Sequence, residues 1–122
     1  IANLFPYAPH LAFWQVAMAG FSTGLFILST GGGKVLGTER NLIVIDKIQP
    51  QVIIGVPGYI YHLMRTAKER GSNWSFVNKI VLGAEKVTIE LKEKMLEHLR
   101  DLGAKDPNIF GTYGFTEAKM AW

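Results

Sequence analysis

The chain has no cysteine, no run of like charge and no long uninterrupted apolar stretch. The first absence excludes disulfides, thiolate metal sites and a cysteine nucleophile. It also suits a cytoplasmic protein, which is the expected location. The second argues against nucleic acid as a partner. Lys and Arg number 13 against 10 Asp and Glu, and they are scattered rather than gathered along one segment. The third argues against a membrane span, which needs about 18 consecutive apolar residues. The run from Leu11 to Gly20 is too short, and no signal-peptide flanks surround Ile1. No Ser-centred nucleophile elbow is present, and no two of the three histidines have metal-ligand spacing.

What is present is a core. Hydrophobic residues make up 48% of 122 residues, with seven Phe, four Tyr and three Trp. That is enough for one small domain. Charged residues are only 19%, below the about one quarter of an ordinary soluble domain. Two explanations stand: an apolar face that meets another domain, or a parallel sheet buried on both sides.

Apolar runs and helical stripes alternate along the chain. Asn3 to Tyr7, interrupted by Pro6, reads as an edge strand or a strand entering a turn. A helix from about His10 to Ala19 follows, apolar almost all round and therefore buried on most sides, with Gly20 to end it. Gly24 to Leu28 suits a central strand. Gly31 to Gly33 is a loop, and Thr38 caps a helix carrying Leu42, Ile45 and Ile48. Gln51 to Gly55 is a strand. Pro57 opens a helix with Ile60, Leu63, Met64 and Ala67 at helical spacing, closed by Gly71. After a polar loop, Gly71 to Ser75, come the strand Lys79 to Leu82 and a helix capped by Thr88 with the stripe Leu91, Met95, Leu99 and Leu102. The last strand is about Asn108 to Gly111. This alternation predicts an α/β fold: an open, mostly parallel sheet of about four to five strands flanked by helices in a flavodoxin-like three-layer arrangement. Ligands of such sheets sit beyond the carboxyl ends of the strands. Four loops qualify: 29–33, 55–58, 83–86 and 111–117.

Each loop has a chemical reading and an ordinary one. Ser29 to Lys34 is Gly-rich, but it is no phosphate loop: Leu28 stands where the first Gly belongs and Val35 where Ser or Thr belongs. Leu36 and Gly37 likewise fail to complete a dinucleotide fingerprint. It reads as a flexible connector, with a ligand role as the alternative. Gly83-Ala84-Glu85 follows a strand directly. Small residues let a flat adenine ring approach the backbone, and Glu85 can accept from an exocyclic amine; a tight turn before a capped helix fits equally. In Tyr113-Gly114-Phe115-Thr116-Glu117 a hydroxyl suits a phosphate oxygen and a carboxylate suits Mg²⁺, with the Tyr113 ring beside them; helix capping is the ordinary reading. His10 is a pocket wall or a half-buried histidine at a helix start. His62 and His98 read as surface or snorkelling residues. Asp46 and Asp101 read as ordinary charges near helix ends.

Taken in order, three segments resemble the adenylate-forming acyl-CoA ligase superfamily, in particular the branch of phenylacetate-CoA ligase and related enzymes. Tyr7-Ala8-Pro9-His10-Leu11 is similar to the segment bordering the acyl pocket. Val81 to Glu85 is similar to the adenine-binding turn. Tyr113 to Glu117 is similar to the family's Tyr-Gly-x-Thr-Glu motif. The resemblance implies ATP or AMP, Mg²⁺ and CoA as cofactors and a small carboxylic acid, in particular an aromatic one, as partner. It implies that Gly83, Ala84, Glu85, Tyr113 and Gly114 line the adenine site. It implies Thr116 on the AMP phosphate, Glu117 on the metal, and Tyr7 and His10 at the acid. The family's own phosphate loop and its mobile domain with a catalytic Lys match nothing here. The resemblance thus implies that residues 1–122 are a central α/β subdomain of an AMP-binding domain, inactive alone, that works with further amino- and carboxyl-terminal parts of one protein. Self-association through apolar surface is a further expectation. A stand-alone flavodoxin-like nucleotide or flavin module, and a non-catalytic interaction domain, are the alternatives.

Overall fold

The computed structural model describes residues 1–8, 10–115 and 120–121. In chain order the elements are β1 (Ala2–Asn3), α1 (Leu11–Thr23), β2 (Leu28–Ser29), α2 (Thr38–Ile48), β3 (Val52–Gly55), α3 (Pro57–Glu69), β4 (Lys79–Leu82), α4 (Ile89–Asp101) and β5 (Asn108–Gly111). A short antiparallel pair, β6 (Gly114–Phe115) with β7 (Met120–Ala121), follows. The first five strands form one sheet in the order β2-β1-β3-β4-β5. Every pairing in it is parallel. This is the α/β arrangement expected from the alternation, and the strand order is the flavodoxin-type order.

Two rows of side chains cross this sheet in register. One runs Leu28, Ala2, Ile53, Ile80, Ile109. Leu42 and Ile45 of α2, Ile60, Leu63 and Met64 of α3, and Met95 and Leu99 of α4 pack against it in one continuous core. Trp74 is wholly buried in that core, its indole N–H donating to Asp46 Oδ1 at 3.1 Å. The Gly71 to Ser75 stretch is therefore not simply a polar loop. Ser72 Oγ donates to the other Asp46 oxygen at 2.9 Å, so Asp46 anchors this segment rather than serving as an ordinary surface charge.

The second row runs Ser29, Asn3, Ile54, Val81, Phe110. Only α1 covers it. Phe13 packs with Phe5 and Ile54, and Val16 adds to that smaller cluster. Asn3 ties the layers together: its Nδ2 donates to Phe13 O at 3.2 Å and to Ser29 Oγ at 3.3 Å, and its Oδ1 accepts from Phe5 N at 3.3 Å. A buried amide satisfied on both sides costs little, whereas an apolar residue there would leave Phe5 N without this partner.

Four expectations need correction. Strands β1 and β2 exchange roles: β1 is interior, because Pro6 lies beyond the paired residues, and β2 is the edge. The run Gly24 to Leu28 is thus not a central strand; Leu25 and Phe26 are exposed. Helix α1 does not stop at Gly20. It runs to Thr23, and Gly24 ends it in the left-handed region at φ 69°. Gly20 is small because Ile27 folds back on it; a Cβ there would lie 1.9 Å from Ile27 Cδ1. Nor is α1 buried on most sides, since Trp14, Met18 and Phe21 face outward. The α2 boundary shifts as well. Gly37 is the N-cap and Thr38 the first helical residue. Thr88 does cap α4, its side chain accepting from Leu91 N at 3.2 Å.

Candidate nucleotide site at the carboxyl edge of the sheet

Because all five strands are parallel, the loops after them emerge at one edge. The site is best built from β4 and β5. Thr112, just past β5, is held by Leu82 O of β4: its N–H donates at 2.7 Å and its hydroxyl at 3.0 Å. These two hydrogen bonds to one carbonyl fix the chain immediately before Tyr113. Gly83 lies against the same threonine. A Cβ at Gly83 would stand 2.7 Å from Thr112 Oγ1 and 3.2 Å from the Phe5 ring, so only glycine fits. The next residue, Ala84, takes φ 70°. A non-glycine residue there is strained by about 1–2 kcal/mol, and such strain gathers where backbone shape serves a purpose.

Glu85 has a partner within the protein. Its Oε2 accepts from Gly58 N at 3.2 Å, at the start of α3. The N-cap of α3 is Val56, whose side chain cannot cap, and Pro57 has no N–H to offer. The carboxylate supplies the missing acceptor and is favoured there by the helix dipole. Glu85 thereby ties the turn after β4 to the turn after β3. Tyr113, largely exposed, continues from Thr112 at this edge, and Gly114 opens β6.

Tyr7 and His10, expected at the acid from the resemblance, lie toward the other half of the edge. The Tyr7 hydroxyl donates to Ser29 O at 3.2 Å, and its ring meets Phe13 edge-on at a centroid distance of 4.8 Å. The same ring covers Gly31. His10 is the N-cap of α1 and its side chain makes no capping bond. The structure thus brings Gly83, Ala84, Glu85 and Tyr113 to the β4–β5 end, and Tyr7 to the β1–β2 end. Phe5, buried between them, reaches from the end of β1 to the Gly83 turn. Pro9, Thr116 and Glu117 lie outside the described residues.

The Gly-rich loop after β2 is packed rather than a loose connector. Asn41 Nδ2 donates to Gly32 O at 3.1 Å and Gly37 O at 2.9 Å, and reaches Tyr59 Oη at 3.0 Å. Gly32 has φ 70°, and a Cβ would lie 2.6 Å from Leu4 O, a backbone atom that cannot swing away. Burial pushes the Tyr59 hydroxyl above its ordinary value, with bonds to Thr38 and Asn41 opposing.

Elsewhere the described residues offer less. No group of three or more His, Asp or Glu among them is placed to hold a metal. A shallow hollow of about 390 Å³ lies between α3 and α4, lined by Arg65, Lys68, Glu69 and His98. Its charges are engaged: Arg65 pairs with Glu69 at 3.9 Å and Lys68 with Asp101 at 2.6 Å. That second pair makes Asp101 more than a stray charge near a helix end. His98 is half-buried beside Tyr61, with ring centroids 5.4 Å apart. Among the described residues no helix is long and apolar enough to cross a membrane. Sequence reasoning missed Thr112, Asn41 and Trp74. Only the first adjoins a motif, and its role depends on a neighbouring strand.

No protein-family model matches the chain, and no curated protein matches it. Solved structures do. A long-chain-fatty-acid-CoA ligase from Archaeoglobus fulgidus superposes on 97% of this chain with a TM-score of 0.77 and 20% identity. The structure of CmiS6 covers 97% with a TM-score of 0.73 and 17% identity. A 2-hydroxyisobutyryl-CoA ligase in an open conformation, bound to 2-HIB-AMP and CoA, covers 95% with a TM-score of 0.77 and 17% identity. At these identities the likeness establishes the fold. The chain spans 24%, 27% and 25% of the three matched chains respectively, about a quarter of each.

Proposed function

We propose that residues 1–122 form the central α/β subdomain of the AMP-binding domain of an acid–thiol ligase. The parent enzyme activates a carboxylate with ATP, releasing pyrophosphate and forming an acyl-adenylate. The CoA thiol then takes the acyl group and AMP leaves. The observation that carries this reading is the convergence of Gly83-Ala84-Glu85 and Thr112-Tyr113 at adjoining strand ends. Both segments resemble ligase motifs, and the fold is one found within two solved CoA ligases.

The residues fit a nucleotide by their shapes. Gly83 has no side chain to crowd Thr112 and Phe5, and Ala84 follows it in the left-handed region. Tyr113 offers a ring face for the base, and Gly114 leaves room beside it. Glu85 acts here through Gly58, holding the turn in place. Thr116 donates to a phosphate oxygen, and Glu117 holds Mg²⁺ as an oxygen ligand of a hard cation. When bound, the metal supplies positive charge to the transferring phosphoryl group. Tyr7 and His10 border the acid, with phenylacetate or another aromatic acid as the substrate class. CoA and the remaining parts of the same polypeptide are the further partners, and the location is cytoplasmic.

Calorimetric titration of the chain with AMP and Mg²⁺ tests this. Weak saturable binding that is lost in Gly83→Val is expected; absence of heat at millimolar AMP counts against the site. The chain alone should show no ATP–pyrophosphate exchange with phenylacetate, and measurable exchange would remove the subdomain reading. A second reading draws on the strand order, which flavodoxins share: a self-contained flavin module. Buried Phe5 stands at the β1–β3 end where such a ligand enters, and a purified chain without flavin absorbance would dispose of it.

A further inference from the structure

We propose that Tyr59 is a positioning residue that couples the turn from Gly83 to Glu85 to the Gly-rich loop after β2, and through that loop to Tyr7. The purpose of the coupling, keeping the acid wall in register with the nucleotide, rests on the ligase reading; the contacts that carry it do not.

Two holds meet at Tyr59. The residue before it, Gly58, gives its N–H to Glu85 Oε2 at 3.2 Å. That carboxylate is the acceptor that fixes the first turn of α3, because Val56 makes no side-chain cap and Pro57 has no N–H. Tyr59 is the next residue of the same turn, and its side chain reaches the loop after β2. A Cβ on Gly33 would stand 2.6 Å from Tyr59 Cε2, so the ring rests directly on that glycine. The Tyr59 hydroxyl accepts from Asn41 Nδ2 at 3.0 Å. The same amide nitrogen donates to Gly37 O at 2.9 Å and to Gly32 O at 3.1 Å. An amide has two hydrogens, so three acceptors share them, and a shift of one redistributes the rest. Asn41 is fully buried, and among the described residues its Oδ1 has no hydrogen-bond partner. Nδ2 alone holds this amide in place.

The loop passes the constraint on. Gly32 is stopped against Leu4 O, which lies 2.6 Å from where its Cβ would be, so the loop does not yield in that direction. Tyr7 lies on Gly31, its Cε2 2.5 Å from a Cβ there, and its hydroxyl donates to Ser29 O at 3.2 Å. Tyr59 thus presses on one glycine, and Tyr7 lies on another two residues away. A second route joins the same ends. Phe5 touches the Gly83 turn and packs with Phe13, which meets Tyr7 edge-on. Those contacts are apolar and non-directional. The route through Glu85, Gly58, Tyr59 and Asn41 runs through hydrogen bonds, which depend steeply on distance and angle, and the coupling is assigned to it on that ground.

A double-mutant cycle read by amide hydrogen exchange, in the chain without ligand, tests this. The reporters are Leu36 and Gly37, whose N–H groups donate to Gly32 O and Gly33 O. Both lie in a partly exposed turn and exchange by local opening. Glu85→Ala should speed exchange at Gly58 and, by about threefold or more, at Leu36 and Gly37. It should also move the ¹³C shifts of the Tyr7 ring. In a Tyr59→Leu background the same change should leave Leu36, Gly37 and Tyr7 where they were. Equal effects in the two backgrounds would assign the coupling to Phe5 and overturn the proposal. An effect of Glu85→Ala confined to Gly58 would overturn it as well. Should Tyr59→Leu lose its fold by circular dichroism, Tyr59→Phe carries the cycle. It keeps the ring on Gly33 and loses the bond to Asn41, so it should shrink the coupling, and an unchanged coupling counts against the proposal. AMP with Mg²⁺ is then added to the wild-type chain. An intact cycle without AMP binding removes the nucleotide reading and leaves the coupling; AMP binding with an additive cycle does the reverse.

Discussion

One face of the sheet is closed by three helices over an apolar row, Leu28, Ala2, Ile53, Ile80 and Ile109, whose last four members are buried. Among the described residues the other is closed by α1 alone over Ser29, Asn3, Ile54, Val81 and Phe110, and exposure rises from Asn3 to Phe110 at β5. Both faces are rich in apolar residues, so composition does not distinguish them. What distinguishes them is the number of helices the connections place on each side. The β1-to-β2 crossover runs one way along the sheet and the later crossovers run the other. Right-handed crossovers therefore put α1 on one face and α2, α3 and α4 on the opposite one. The low overall charge thus has two sources: a sealed core on one side and a patterned, uncovered surface on the other.

Energetics should follow that division. Trp74→Ala, in the sealed core, should lower unfolding free energy by about 3–5 kcal/mol through lost burial and a cavity. Phe21→Ser, on the open face, should change the stability of the dilute monomer by no more than about 0.5 kcal/mol. Urea denaturation of the two variants at low protein concentration measures the contrast, and equal losses would erase the distinction between the faces. Glu85→Ala should cost about 0.5–2 kcal/mol by removing the acceptor at the start of α3, with faster amide exchange at Gly58 as the local signature. Ala84→Gly should stabilise by about 0.5 kcal/mol, since relief of the left-handed strain exceeds the entropy that glycine adds to the unfolded chain; chemical denaturation reads it.

The smallest effect is electrostatic. A hydrogen bond from the Lys68 ammonium, together with its charge, holds the Asp101 carboxyl below its ordinary value. A carboxyl depressed in the folded state contributes stability that is present above its unfolded pKa, about 3.9. That contribution is lost as pH falls through the folded value. Asp101→Asn should therefore lower stability slightly at neutral pH, where the contribution is present, leave it nearly unchanged below the folded pKa, and so flatten the acid side of the stability curve. Both partners are exposed, so added salt should shrink the effect further.

Much of the fold was legible from local signals. Pro57, Thr88 and Gly71 mark helix ends because caps and breakers act through nearby backbone. The strands 79–82 and 108–111 are short apolar runs bounded by turns. What was not legible is relational. The run at 24–28 is as apolar as an interior strand, yet strand order puts it at the edge. Trp74 sits in a polar stretch, and its burial depends on Asp46 of another helix. The candidate site divides similarly. Gly83 and Tyr113 announce themselves by type and by following strands. Thr112, Phe5 and the Glu85–Gly58 bond exist only through pairings that no local pattern encodes. Gly31 to Gly33 looked loose, but its freedom is spent on left-handed backbone and close approach to Leu4.

Nucleotide recognition is proposed for the β4–β5 end of the carboxyl edge. The most direct test is an ¹⁵N-resolved NMR titration of the chain with AMP and Mg²⁺. Shifts concentrated at the amides of Gly83, Ala84, Glu85, Thr112 and Tyr113 are expected. Shifts confined to Ser29 through Gly33, or none at millimolar AMP, would contradict it.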